Sequence, residues 1–241
     1  MLCRVRTSLT EKKAGRGLLD TANFRRTLAG ICLIIQPFIN LISVAVSPRQ
    51  STDTSEQLAM IGTYPTRFLI ANLLDLLWLL LLIPAVLGLL HLLRSGGALL
   101  GHIGCGFVLA GAVGAAAYRG VNLGQLQVAQ SGLKQGQVLT AFGQPSLGSV
   151  VVMLISAIGL VIGYALLAAG LWRTRAAPRW ASGLIVAFLV VDIVGLAAGG
   201  NKGVLLVAHM LLLVGLGWIG VKMLAMSDAQ WRAQVGTQVR S

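Results

Sequence analysis

The sequence predicts an all-α, polytopic membrane bundle of six transmembrane helices with both ends on the cytoplasmic side. Three observations predict it: the composition, the lengths of the apolar runs and the placement of positive charge. Hydrophobic residues make up 56% of the chain and charged residues 11%, with a mean hydropathy of +0.82, far from the mix of a water-soluble domain. A hydrocarbon core of about 30 Å asks for about 20 apolar residues per helix. The chain supplies six such runs, at 28–47, 67–93, 97–118, 148–172, 180–200 and 203–224. Of its 19 Lys and Arg, 14 fall on the side of the two termini and five (Arg49, Arg67, Arg119, Lys134, Lys202) on the other. Positive residues beside a span resist translocation, so the termini are assigned to the cytoplasm.

The organisation that follows is one membrane domain, 28–224, between a basic cytoplasmic tail, 1–27, and a second cytoplasmic tail, 225–241. The connections at 48–66 and 119–147 are too short for a soluble domain. The apolar run after the basic start is span-length and lacks a small-residue cleavage site, so the first span reads as an uncleaved anchor. Glu11 and Asp20 argue against an organelle transit peptide. The general make-up looks like that of many small bacterial integral membrane proteins and carries no family-diagnostic motif. The expected location is therefore a bacterial cell membrane, crossed several times.

In the first span, "ICLIIQPFINLISVAVS", the residues Cys32, Gln36, Asn40, Ser43 and Ser47 share one narrow sector at helical periodicity. This polar stripe is expected to face the bundle interior, with Pro37 interrupting one backbone hydrogen bond inside it. In the loop "SPRQSTDTSEQLAMIG", Asp53 and Glu56 have capping-box spacing, which predicts a short interfacial helix starting near Thr54. The second span, "LIANLLDLLWLLLLIPA", carries Asn72 and Asp75 on one face and Pro84 further on. Asp75 lies on the order of 12 Å inside the outer boundary. An aspartate at a helix centre costs about 2.5–3.5 kcal/mol and each Leu returns about 0.3–0.6, so this span still inserts.

The later spans repeat the theme. Gly97/Gly101 and Gly159/Gly163 have the small-xxx-small spacing that permits close helix approach. His102 and Cys105, one turn apart, read as packing residues, and Arg119 and Lys202 as end-of-span charges that snorkel to the interface. Between Arg119 and Gly148, glutamines alternate with apolar residues. That pattern suits either a surface-lying or re-entrant lid or a disordered loop. Asp192 lies on the order of 13 Å, and His209 on the order of 10 Å, from the outer ends of their spans.

Asn40, Asn72, Asp75, Asp192 and His209 thus come from four spans at similar depth, with Gln36 on the same stripe as Asn40. Intramembrane ionisable groups face the bundle interior or a wet cavity and pair there, so these six residues form the candidate binding layer in the outer half. Each also has a structural reading, as interhelical hydrogen-bonding glue worth about 0.6 kcal/mol on average. The deciding geometry is whether Asp75, Asp192 and His209 approach within about 4–6 Å of one another.

Other chemistry is not indicated. The net charge of +12 sits in short segments abutting the spans, which points to the bilayer and its anionic headgroups, not to nucleic acid. Cys3, Cys32 and Cys105 give no disulfide framework, and no spacing suggests zinc, haem or another cofactor. Ser146 in "GQPS" has no His partner in sequence, so no catalytic residues are assigned and an enzyme is not expected. The two leading function classes are a small ion-coupled transporter using the outer layer, and a non-catalytic membrane subunit, sensor or scaffold. The second would meet a protein partner or a second copy through glycine-rich helix faces.

Overall fold

The computed structural model describes residues 2–48, 54–94, 96–131 and 147–231, with the side chains of 2–22, 54, 55 and 58 outside that set. The described residues contain no strands and form seven helices joined by short turns: α1 (Leu2–Val46), α2 (Thr54–Thr63), α3 (Pro65–Leu93), α4 (Ala98–Gln130), α5 (Leu147–Thr174), α6 (Arg179–Ala197) and α7 (Lys202–Ala225). Six are long and apolar enough to cross a membrane: Asn23–Val46 within α1, and all of α3 to α7. The short α2 is the seventh.

Helix boundaries follow local chemistry. No proline precedes Pro37, so α1 continues from the span back through the basic segment, each residue adding one hydrogen bond to an existing nucleus. α2 starts at Thr54, and α3 starts with Pro65 at its first position, where the missing N–H costs nothing. Between α6 and α7 the chain reverses through Gly199 and Gly200, both at positive φ (72° and 71°), a conformation that other residues adopt only with strain. Asn201 then caps α7 by accepting from the Gly203 and Val204 N–H groups.

α4 departs from expectation. It does not end near residue 118 but runs on to Gln130, so residues 119–130 belong to a helix about 50 Å long at 1.5 Å per residue. Neither a lid nor a disordered loop describes this stretch. The apolar half of its Gln-interleaved pattern packs: Leu126 joins Ile61 of α2 and Phe68 of α3 in a small core at the end away from the termini. The remainder of that connection, 132–146 with Ser146, lies outside the described residues, as do Arg49, Asp53 and the tail after Trp231.

The six spans close into a ring in chain order: α1 packs on α3, α3 on α4, α4 on α5, α5 on α6, α6 on α7, and α7 back on α1. Short connections between antiparallel neighbours produce this order. Inside, the half nearer the termini is a plug of fully buried Leu33, Leu82, Leu89, Leu167, Leu171 and Leu216 with their neighbours. The opposite half holds most of the buried polar side chains. The outer surface is studded with Leu, Ile and Val from every span, as expected where the solvent is lipid.

Glycines make the closest seam, between α4 and α5. A Cβ on Gly159 would lie 2.6 Å from Gly111 Cα, and one on Gly163 would lie 2.6 Å from Val108 N. Gly97 and Gly101 are instead covered by side chains, of Thr174 and Leu93. These faces are used inside the chain. Because the seam is backbone against backbone, Gly159→Ala is expected to destabilise by about 1–3 kcal/mol, the usual cost of overpacking. Gly106→Ala, where a new Cβ meets nothing within 4 Å, should be neutral. Thermal unfolding of both variants in detergent checks the difference.

Candidate functional site

The half of the ring away from the termini contains two charged groups of side chains. The first joins three helices. Asp75 of α3 forms an ion pair with Arg119 of α4, 2.9 Å between Oδ2 and the guanidinium. Its other carboxylate oxygen accepts a 2.5 Å hydrogen bond from the Ser43 hydroxyl of α1, which also approaches the Ala71 carbonyl at 3.0 Å. One turn away, Asn72 donates to the Phe68 carbonyl at 2.8 Å and accepts from Asn122 of α4 at 3.4 Å. Asp75 and Asn72 share a face for a reason: both reach across to α4.

Arg119 is therefore not an end-of-span charge that snorkels. Since α4 continues past it for another three turns, Arg119 sits inside the helix, and its guanidinium turns inward to the carboxylate. Lys202 stands at the first residue of its span, as expected of an end-of-span charge. Its ammonium donates to the Ala45 and Ser47 carbonyls at 2.7 and 2.9 Å, filling the exposed carbonyls at the end of α1.

The second group lies on the neighbouring pair of helices. His209 of α7 and Asp192 of α6 approach to 4.0 Å. His209 Nδ1 is 2.8 Å from the Leu205 carbonyl, one turn back. A carbonyl only accepts, so Nδ1 carries the hydrogen, and Nε2 is left without a hydrogen-bond partner among the described residues. The Phe188 ring stands edge-on to the imidazole, with centroids 5.5 Å apart. No donor among the described residues hydrogen-bonds Asp192.

No hydrogen bond or ion pair among the described residues joins the two groups. Of the three residues expected to approach one another, Asp192 and His209 do, whereas Asp75 pairs with Arg119 instead. Asn40 and Gln36 are buried on the α1 stripe as expected, but neither hydrogen-bonds to the Asp75 group.

Three further polar side chains lie below this layer, where it meets the leucine plug. Gln36 lies beside the Tyr164 hydroxyl of α5, and the Trp78 indole lies beside Asp75. These neighbouring pairs, Gln36 with Tyr164 and Trp78 with Asp75, bury their polar atoms side by side at the edge of hydrogen-bonding geometry.

Sequence reasoning missed Arg119, Asn122, Trp78 and Tyr164, and it left Ser43 on the stripe without a role. Arg119 and Asn122 were hidden by the underestimated length of α4. Tyr164 had a signal, as a phenol in the middle of an apolar span. Among the described residues, no three His, Cys, Asp or Glu side chains converge as a metal-binding group.

Fold and site together define a polytopic helical integral membrane protein with a charged layer in one half of its bundle. Comparison with protein-family models, with curated proteins and with solved structures finds no match to this chain.

The Asp75–Arg119 contact makes a direct prediction. Removing one member of a buried ion pair strands the other, at a cost of about 3–5 kcal/mol. Arg119 is a quarter exposed, so Asp75→Asn or Arg119→Gln alone should cost about 3 kcal/mol, the lower end of that range. The double variant should recover part of the loss. A double-mutant cycle on unfolding in mixed micelles measures the coupling.

Proposed function

We propose that the chain is a small ion-coupled carrier that handles a proton or a small cation at Asp192 and His209. The observation that carries this reading is the contrast between the two carboxylates. Asp75 is held by a 2.9 Å ion pair with Arg119 and a hydrogen bond from Ser43, which ties it to helix contacts. Asp192 has only an imidazole at 4.0 Å. A largely buried carboxylate without a hydrogen-bond donor is costly as an anion. It lowers that cost by taking up a proton or a cation, or by facing an imidazole that has taken one up.

The surroundings support the same reading. The charged layer stands in one half of the bundle while leucines close the other, an arrangement expected of a site open to one side at a time. The imidazole of His209, with Nδ1 4.0 Å from Asp192 Oδ1, is a second titratable group beside the carboxylate. On this reading the layer handles an ion and carries out no covalent chemistry. By the distribution of Lys and Arg, the charged layer belongs to the outer leaflet and the termini to the cytoplasm.

A second reading, a non-catalytic membrane subunit or scaffold, is favoured by the closed Ser43–Asp75–Arg119 set, which spends its charges on helix contacts. Its glycine seam is already used between α4 and α5. A partner or second copy would instead meet the open side of α4 at Gly106, Gly120 and Gly124, where a new Cβ touches nothing.

Proteoliposomes with an internal pH-sensitive dye separate the two readings. On the carrier reading, the wild-type chain dissipates an imposed proton or cation gradient, and Asp192→Asn and His209→Gln each reduce the rate to that of empty liposomes without lowering thermal stability. Wild-type liposomes that leak no faster than empty ones under all the imposed gradients would leave the scaffold reading standing.

A further inference from the structure

At the end of the bundle that carries both termini, a cavity of about 570 Å³ opens between α1 and α3. It belongs to neither charged group described above, and its chemistry differs from theirs. Arg25 and Arg94 stand at its mouth with His91, and below them the walls are Leu28, Leu87 and Pro84. Leu28 is 39% exposed and Leu87 50%, so the cavity is open sideways, toward the hydrocarbon. Its floor is the contact between Gly88 and Ala29, where any side chain on Gly88 would collide with the Ala29 methyl.

The fourth side is built by the C-terminal segment. Arg26 donates to the Met226 carbonyl at 2.6 Å and pairs with Asp228 at 2.7 Å, tying this segment to α1. Trp231 then stacks on His91, with ring centroids 3.9 Å apart and planes 22° from parallel, and its carbonyl accepts from His91 Nε2 at 3.2 Å. Trp231 is 95% buried by this contact. A tail held in this way gives the cavity a fixed wall.

We propose that this cavity binds one anionic phospholipid, its phosphodiester between Arg25 and Arg94 and the start of an acyl chain along Leu87 and Pro84. Charge complementarity argues for an anion, since no acidic side chain among the described residues pairs with either arginine, while the neighbouring Arg26 has Asp228. Guanidinium forks match phosphate oxygens in geometry as well as charge. Depth argues for a lipid and not a free phosphate. Arg94 to Pro84 spans ten residues, on the order of 15 Å along the helix, and that length is apolar and open to the bilayer. A basic pocket between transmembrane helices at the headgroup level, continuing into an apolar groove, suits a molecule with both parts.

The test uses the full-length chain in detergent, titrated with dioleoyl phosphatidylglycerol or dioleoyl phosphatidylcholine and observed by native mass spectrometry. One phosphatidylglycerol should be retained in preference to phosphatidylcholine, and Arg25→Gln/Arg94→Gln should weaken it about thirtyfold, two surface arginines' worth of headgroup attraction. Both arginines are exposed, so thermal unfolding should be unchanged. Leu87→Trp fills the groove without altering charge and should also weaken retention. Glycerol phosphate, the headgroup without chains, should not displace the lipid at equal concentration. Equal retention of the two lipids, or unchanged phosphatidylglycerol binding in either variant, overturns the proposal. Displacement by glycerol phosphate overturns it in favour of a free phosphate ligand.

Discussion

A carboxylate at the depth of Asp75 has nowhere to go but inward, and much of the bundle is arranged around that constraint. Lipid offers no hydrogen bonds, so the charge must be met by other parts of the chain. Arg119 meets it from α4 and Ser43 from α1, which fixes the rotation of three helices about their axes at once. If α3 turned by a third of a revolution, the carboxylate would face hydrocarbon. The Asn72–Asn122 contact one turn away repeats the α3–α4 registration with neutral groups. Hydrophobic packing alone specifies rotation poorly in a membrane, because lipid tails are as apolar as leucine. Here the polar contacts supply the specificity, and the glycine seam supplies the close approach on the next interface.

The sequence makes the class and most of the spans legible, because both depend on quantities local to one helix: run length, mean hydropathy and flanking charge. The polar stripe of α1 is equally legible. Cys32, Gln36, Asn40 and Ser43 are all buried, since helical periodicity depends only on the residue's own helix. The pairing of Asp192 with His209 follows from equal depths on adjacent spans. What one helix cannot reveal is who stands opposite. Arg119 could be read as a terminal charge because the apolar run weakens near residue 118, and glutamines then obscure the continuation of α4. The true helix end is set by packing of Leu126 against Ile61 and Phe68, a tertiary contact with no local mark. The site was thus half visible: its carboxylates and histidine stood out as anomalies in apolar runs, and their partners did not.

The interior is divided along the membrane normal. The half near the termini is filled by leucines at native-like burial, and the other half by charges, amides and hydroxyls. Gln36, Trp78 and Tyr164 lie at the boundary between these halves, Gln36 beside Tyr164 and Trp78 beside Asp75. An apolar plug beneath a polar layer costs little, whereas polar groups buried at that depth need partners. On the carrier reading, this boundary is where a guest leaving the Asp192–His209 pair would next find hydrogen bonds, because Gln36 and Tyr164 offer both donors and acceptors.

The two carboxylates also set a limit on how such a layer works. Asp75 is tied to two neighbouring helices, by the Arg119 ion pair and the Ser43 hydrogen bond, whereas Asp192 meets only the His209 ring, at 4.0 Å. The first arrangement specifies how helices register, and the second leaves a carboxylate free to change partners without disturbing that registration. On the carrier reading, opening of the ring should begin where polar contacts can exchange partners, and not at the α4–α5 seam, where backbone meets backbone at Gly111 and Gly159.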